Sequence, residues 1–106
     1  MVSYSNNLNV IDISNPVLPV IKSTLNNGDG GVQLIHPNFI TISGNYAYIV
    51  SWGGPNVEIV NISDPLHPIH TASYLMNWAT PVYSLAVSGN YMYLVFTFEL
   101  RNAIFL

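Results

Sequence analysis

The chain has 106 residues, of which 50% are hydrophobic and only 7% are charged, with a formal net charge of −3. This length and hydrophobicity predict one small folded domain, or a piece of a larger one, and exclude a disordered tail. An ordinary soluble domain is about 25% charged. We therefore expect that uncharged polar side chains solvate the surface, or that more protein covers it.

The composition also excludes several functional classes. The two basic residues, Lys22 and Arg101, are too few to neutralise a run of phosphates, so nucleic acid is not an expected partner. The chain has no cysteine, which excludes a disulfide framework and cysteine-ligated zinc but leaves the compartment open. The first residues lack the features of a signal peptide, and no apolar run approaches the ~20 residues of a membrane span. As written, the chain is expected to be neither exported nor inserted in a membrane.

An internal repeat dominates the sequence. The segment 10–20 returns as 59–69, which is 49 residues later. The segment 43–46, Ser-Gly-Asn-Tyr, returns as 88–91, which is 45 residues later. The loop 26–31, Asn-Asn-Gly-Asp-Gly-Gly, is the expected place for the difference, because such residues mark loops.

Each repeat has the pattern of four short strands. In the second strand, at 46–50 and again at 91–95, both alternating sets of side chains are apolar. That pattern is typical of a sheet covered on both faces. Gly44 and Gly89 supply the positive φ that a tight hairpin turn needs, so the first two strands are predicted to be antiparallel neighbours.

The third strand of each repeat is followed by a proline-containing turn. Proline removes a backbone donor, and the Asn or Asp before it can bind the downstream backbone, so the strand must end there. Asp12 and Asp64 are expected to cap these turns. The third strands are predicted at 8–13 and 57–62, and the fourth strands at 18–25 and 69–75.

A four-stranded antiparallel unit that repeats about every 45 residues, apolar on both faces, is the unit of a β-propeller. We therefore predict an all-β fold, a partial β-propeller of about two four-stranded antiparallel blades. The alternative is a duplicated β-sandwich, which would show polar outer faces that these strands lack. The predicted domain is 1–106, with an incomplete first repeat at 1–25, a complete blade at 38–75 and an incomplete third repeat at 82–106.

Two sequence motifs resemble those of the LVIVD repeat family in their residues and in their order along the chain. They are Asp-Ile-Ser-Asn-Pro at 12–16 and Ser-Gly-Asn-Tyr-Ala-Tyr at 43–48. The second copies, 57–68 and 85–95, are similar, with Asn61 where the first copy has Asp. The resemblance covers almost the whole chain. It implies a β-propeller in a bacterial or archaeal protein, commonly at the cell surface or secreted, with no general enzymatic activity and no catalytic residues to carry over.

The repeat departs from this pattern at both ends. Residues 1–4 match the tail of a second strand, and 103–106 lie where a third strand is due without its Ser-Asn-Pro turn. We therefore expect a fragment, whose partners are further propeller blades of a parent chain or of other copies.

Such a fragment would leave apolar blade faces exposed. If only ~400 Å² of apolar surface stayed in contact with water, the chain would lose ~10 kcal/mol of stabilisation, which is comparable to a domain's whole stability. The chain is thus predicted either to self-associate, with about three copies closing a ring of roughly six blades, or to aggregate.

The sequence contains no convincing catalytic or ligand-binding pattern of residues, and no catalytic residue, cofactor or metal site is predicted. His67 and His70 flank Pro68 at a strand start, where side chains three residues apart point to opposite faces, so surface or packed histidines are expected rather than metal ligands. The loop 26–31 lacks the spacing of a calcium loop and is predicted to be a flexible insertion. The chain is accordingly expected not to be an enzyme.

Three residues remain as candidates for a site at the mouth of the propeller channel: His36, Asp29 and Trp78. The predicted function is a non-enzymatic repeat module for protein interaction or cell-surface scaffolding within a larger propeller. The alternative is part of a propeller enzyme or carbohydrate-binding propeller. For that alternative, the three candidates would have to converge on one ligand.

Overall fold

The computed structural model describes residues 6–53, 57–75 and 82–96, which form eight β-strands and one short 3-10 helix. Within these ranges no helix is long and apolar enough to cross a membrane. The predicted all-β fold is confirmed. In chain order the elements are β1 (Asn7–Asp12), β2 (Val20–Asn26), the 3-10 helix (Asp29–Gly31), β3 (Ile35–Ser43), β4 (Tyr46–Gly53), β5 (Val57–Asn61), β6 (Ile69–Tyr74), β7 (Val82–Ser88) and β8 (Tyr91–Phe96).

The strands form three antiparallel sheets that follow one another along the chain. β1 pairs with β2, the middle sheet has the order β3-β4-β5-β6, and β7 pairs with β8. The middle sheet is a complete four-stranded blade. By the repeat, β1 and β2 are the third and fourth strands of a preceding blade, and β7 and β8 are the first two strands of a following one. The chain is therefore a partial β-propeller, and its eight described strands are equivalent to about two four-stranded blades.

The hairpins β3–β4 and β7–β8 turn on glycine, as predicted. Ser43 pairs with Tyr46, and the corresponding pair follows in β7–β8, so each turn has only two central residues. Gly44 has φ 58° and Gly89 has φ 56°. Residues with a side chain rarely adopt this backbone conformation, which is why glycine recurs at the turn.

The turns between third and fourth strands use the same hydrogen bonds in both copies. The last residue of the strand and the residue before proline each accept, through a side-chain oxygen, the N–H two positions later. Asp12 and Asp64 thus cap the turns, as predicted, and Asn takes the corresponding place in the other copy. The four bonds, donor first, are Ser14 to Asp12 (2.8 Å), Val17 to Asn15 (3.2 Å), Ser63 to Asn61 (2.9 Å) and Leu66 to Asp64 (3.0 Å).

The core lies between the sheets and covers the middle blade on both faces. Ala47 and Ile49 of β4 pack toward the first sheet, whereas Val50 packs toward the last, as the doubly apolar pattern predicted. The first cluster buries Leu25, Val32, Leu34, Ala47, Ile49 and Val60, with Leu8 and Ile62 against it. The second cluster buries Val50, Val57 and Leu85, with Tyr48, Ile59, Val87, Met92 and Leu94 against it.

Candidate functional site

Asp29 of the predicted channel-mouth site is engaged within its own loop. Its Oδ2 accepts the Asn26 N–H at 2.8 Å, and the Gly28 N–H donates to the Val32 carbonyl at 2.8 Å, which closes the connection between β2 and β3. Glycines with positive φ, including Gly28 at 97°, give this loop its shape. No group of three or more metal-ligating side chains occurs in the described part of the chain. The loop is thus a hydrogen-bonded connection built around one carboxylate.

His36 follows the same connection, near the start of β3. Its backbone has φ 55°, and its N–H donates to Asn6 Oδ1 at 3.3 Å. A positive φ is uncommon for a residue other than glycine and marks a tightly constrained position. Trp78, the third candidate, lies outside the described residues. Asp29 and His36 therefore share one end of the blade, and their convergence with Trp78 on a ligand stays a prediction.

The two histidines that flank Pro68 have separate partners. Exposed His67 Nδ1 lies 2.9 Å from Asp64 Oδ2 across the turn. The hydrogen bond from His67, with a second from the Leu66 N–H, holds the pKa of Asp64 below its ordinary value. His70 is half-buried and faces Glu58 instead. The sequence led us to expect surface or packed histidines, and His67 is exposed whereas His70 is packed.

The most concentrated polar contacts in the described structure surround the Glu58 carboxylate, which is fully buried. Ser73 Oγ donates to Glu58 Oε1 at 2.6 Å, and the Gln33 N–H donates to the same oxygen at 3.2 Å. His70 Nδ1 makes a hydrogen bond with Glu58 Oε2. A buried carboxylate needs such donors, because an uncompensated buried charge is strongly unfavourable. We call these four residues the Glu58 cluster.

A β-bulge brings His70 and Ser73 to the same face of β6. Glu58 pairs with Ser73, but the register shifts after Ile59, so that Val60 pairs with His70 and Thr71 is the extra residue. Side chains of a regular strand alternate, so residues three apart would otherwise point to opposite faces. The extra residue reverses this alternation, and the imidazole and hydroxyl both reach the carboxylate.

The first repeat contains a neutral version of the same arrangement. β1 and β2 have a bulge at the corresponding place, with Lys22 as the extra residue. Thr24 Oγ1 donates to Asn9 Oδ1 at 2.8 Å, as Ser73 donates to Glu58 49 residues later. The position of His70 corresponds to Ile21 in this repeat. The cross-strand polar pair is thus a feature of the repeat, and the histidine–glutamate contact belongs to the middle blade.

The geometry of the Glu58 cluster favours a structural role. In a nucleophile–base–acid arrangement the hydroxyl would face the imidazole, whereas here Ser73 donates directly to the carboxylate. The contact with Gln33 ties the β2–β3 connection to the middle blade, and Gly31 lies against the ring, where an added Cβ would be 3.6 Å from His70 Cδ2. The cluster therefore fastens the connection from the preceding repeat onto β5 and β6.

Sequence reasoning missed this cluster, although one signal for it was present. Glu58 is the only charged residue of Val57–Asn61, a strand in which Val57 and Val60 are also buried. A carboxylate at such a position requires partners. Aligning the repeats would have pointed to Ser73, because it stands opposite Glu58 as Thr24 stands opposite Asn9.

A groove of about 650 Å³ separates β1 from the second proline turn. Its walls include Ile11, Ile13 and Leu66, with Lys22 and Asp64 at its polar positions. Nearby, Ser23 Oγ donates to the Pro65 carbonyl at 2.7 Å, which joins β2 to the turn of the next repeat. The groove is thus a contact zone between consecutive repeats that remains open to solvent.

Comparison with known proteins identifies the repeat. The family model of the LVIVD repeat matches residues 2–27, 38–76 and 81–100, which together make up most of the chain. No curated protein and no solved structure matches the chain significantly. Each of the three matched stretches covers all or most of one sheet of the partial propeller. The chain belongs to the LVIVD repeat family.

Proposed function

We propose that this chain is a non-enzymatic propeller module that acts by binding protein, first of all further blades of its own kind. In a surface-associated propeller such binding would serve as scaffolding. The main observation behind the proposal is a difference in solvent exposure between side chains at equivalent positions of the repeats. Val95 of β8 is 61% exposed, whereas Val50 at the same place in the complete blade is fully buried.

The same difference occurs at the opposite end of the chain. Ile11 of β1 is 47% exposed, whereas Val60 at the corresponding position of β5 is fully buried. These residues lie on the sheet faces that, in the middle blade, contact a neighbouring sheet. Apolar faces of this kind mark protein-binding surfaces in soluble proteins. The two terminal sheets therefore each present a face suited to another blade.

The polar groups support a non-enzymatic role. In the described part of the chain, the two carboxylate–imidazole contacts, Asp64–His67 and Glu58–His70, belong to a surface turn and to the packed Glu58 cluster. The Asp29 carboxylate holds its own loop. These groups serve the architecture of the repeat rather than a common pocket.

Thermal unfolding at increasing protein concentration tests this proposal. Association of folded chains stabilises them by mass action, by up to about 2.7 kcal/mol when the partner concentration reaches roughly 100 times the dissociation constant. For a domain of this size that upper limit corresponds to a rise in Tm of roughly 10 °C. Tyr93→Lys, which places a charge on the open face, should reduce the rise and serves as the control. A Tm independent of concentration, together with no binding of an apolar dye to the folded chain, would contradict the proposal.

A further inference from the structure

Among the described strands, the two terminal sheets have complementary unpaired edges. In the complete blade, β4 lies between β3 and β5, but β8, its counterpart, pairs only with β7 in the described structure. In the same way β5 lies between β4 and β6, but β1, its counterpart, pairs there only with β2. Among the described strands, each terminal sheet is therefore half a blade. The half that it lacks corresponds to the other terminal sheet.

We infer that β8 of one copy pairs antiparallel with β1 of a second copy, so that β7-β8-β1-β2 becomes a four-stranded blade shared by two chains. This inference rests on the proposed function and names the partner as a second copy of the chain. An unpaired edge strand exposes a row of backbone donors and acceptors that readily accepts another strand. Here the accepting and the added strand already occur next to each other in the chain, as β4 and β5.

The pairing of β4 with β5 predicts the register of the shared blade. In the complete blade Tyr48 pairs with Ile59, and Ile49 pairs with Glu58. Transferred by the repeat, Tyr93 of one copy pairs with Val10 of the next, and Leu94 with Asn9. The complete blade also has a hydrogen bond from the Ile62 N–H to the Asn45 carbonyl at 2.8 Å. Its equivalent would run from Ile13 of the second copy to Asn90 of the first.

The shared blade also completes the burial of both hairpins. In the β7–β8 hairpin, Leu85, Met92 and Leu94 already pack against the middle blade of their own chain. The opposite face includes Tyr91, which is 70% exposed, whereas its counterpart Tyr46 is 38% exposed. In the shared blade this face meets the middle blade of the second copy. The exposed face of β1 and β2, with Ile11, meets the middle blade of the first.

The arrangement is head-to-tail and therefore predicts a ring. With its described strands each copy contributes one complete blade and two half-blades, so these strands of n copies form 2n blades. Propellers typically contain 4–8 blades, which corresponds to two to four copies. A head-to-tail contact closes when its rotation matches the ring, and otherwise extends into a filament.

Disulfide cross-linking tests the register directly, because the natural chain contains no cysteine. Val10→Cys is introduced in one preparation of the full chain and Tyr93→Cys in another, and the two are mixed and oxidised. Mass spectrometry then separates mixed dimers from homodimers. We expect mixed dimers to exceed each homodimer by at least about tenfold, because only the in-register pair brings the two Cβ atoms within disulfide distance.

Two further pairs complete the experiment. Asn9→Cys mixed with Leu94→Cys is a neighbouring in-register pair, and it too should give mixed dimers. Val10→Cys mixed with Tyr91→Cys is displaced by two residues and should give few. Circular dichroism of each single variant checks that it keeps the β fold.

The possible outcomes separate this inference from the proposed function. Predominant homodimers, or equal cross-linking of the displaced pair, overturn the inference. A concentration-dependent Tm without mixed dimers leaves the proposed function in place while the shared blade is rejected. A monomer with no cross-link, as when another segment of the same chain covers these edges, overturns both.

Discussion

At the scale of single residues, the polar chemistry of the chain is concentrated on Glu58. Three groups from two parts of the chain meet its carboxylate: the Gln33 backbone N–H of the β2–β3 connection, and the His70 ring and the Ser73 hydroxyl of β6. A hydrogen bond to a charged group contributes about 1.5–3 kcal/mol, and donors left without a buried acceptor are costly. Glu58 should therefore contribute to stability far more than an exposed polar residue of the same repeat.

Replacing Glu58 by alanine tests this role. Glu58→Ala removes the hydrogen-bond partner of all three groups, and we expect it to lower the free energy of unfolding by about 2–4 kcal/mol. Asn9→Ala removes the corresponding acceptor of the first repeat, where the pair with Thr24 is exposed, and should lower it by less than about 1 kcal/mol. Urea denaturation of both variants at one low protein concentration gives the two values. Equal losses would show that the carboxylate does not organise the cluster.

At the scale of elements, strands and turns follow from local patterns that recur. The alternation of residues 46–50 predicted a strand buried on both faces, and Ala47 and Val50 are fully buried in different clusters. Gly44 and Gly89 mark the hairpin turns because positive φ is required at those positions. These features depend on residues close in sequence, so they can be predicted from one chain.

The Glu58 cluster could not be predicted in the same way. Alternation places residues three apart on opposite faces, and only the extra residue Thr71 returns His70 to the face of Ser73. The contact with Gln33 joins positions 25 residues apart through the packing of two repeats. For the candidate channel-mouth site, Asp29 and His36 were placed at one end by topology, but whether side chains converge depends on the arrangement of blades rather than on spacing.

A substitution in the β3–β4 turn tests whether the positive φ of this turn requires glycine. Gly44 has φ 58° with open space around its Cα, so the expected penalty for Gly44→Ala is backbone strain rather than a clash. We expect a loss of about 1–2 kcal/mol in the free energy of unfolding. Asn45→Ala, at the neighbouring position where φ is not positive, is the control and should change it by no more than about 0.5 kcal/mol. Chemical denaturation that gave the same loss for both would argue against strain at Gly44.

At the scale of the whole molecule, the chain is more open than a domain of its length. Its Cα radius of gyration is 15.5 Å, compared with about 13 Å for a compact domain of roughly 100 residues. Within the described residues, the middle blade is covered on both faces and each terminal sheet on one. The exposed faces carry tyrosine, valine and isoleucine side chains, consistent with the low charge of the sequence. This surface supports the proposal that the chain functions in contact with more protein.

Sedimentation velocity of the purified chain tests this conclusion most directly. We predict that the folded chain of 11.7 kDa sediments as an oligomer of two to four copies, with three copies, about 35 kDa, as the central expectation. Dilution should shift the distribution toward smaller species and lower the β content, because each terminal sheet loses its cover. A chain that remains a cooperatively folded monomer across a roughly 100-fold range of concentration would contradict the claim that its terminal sheets require further blades.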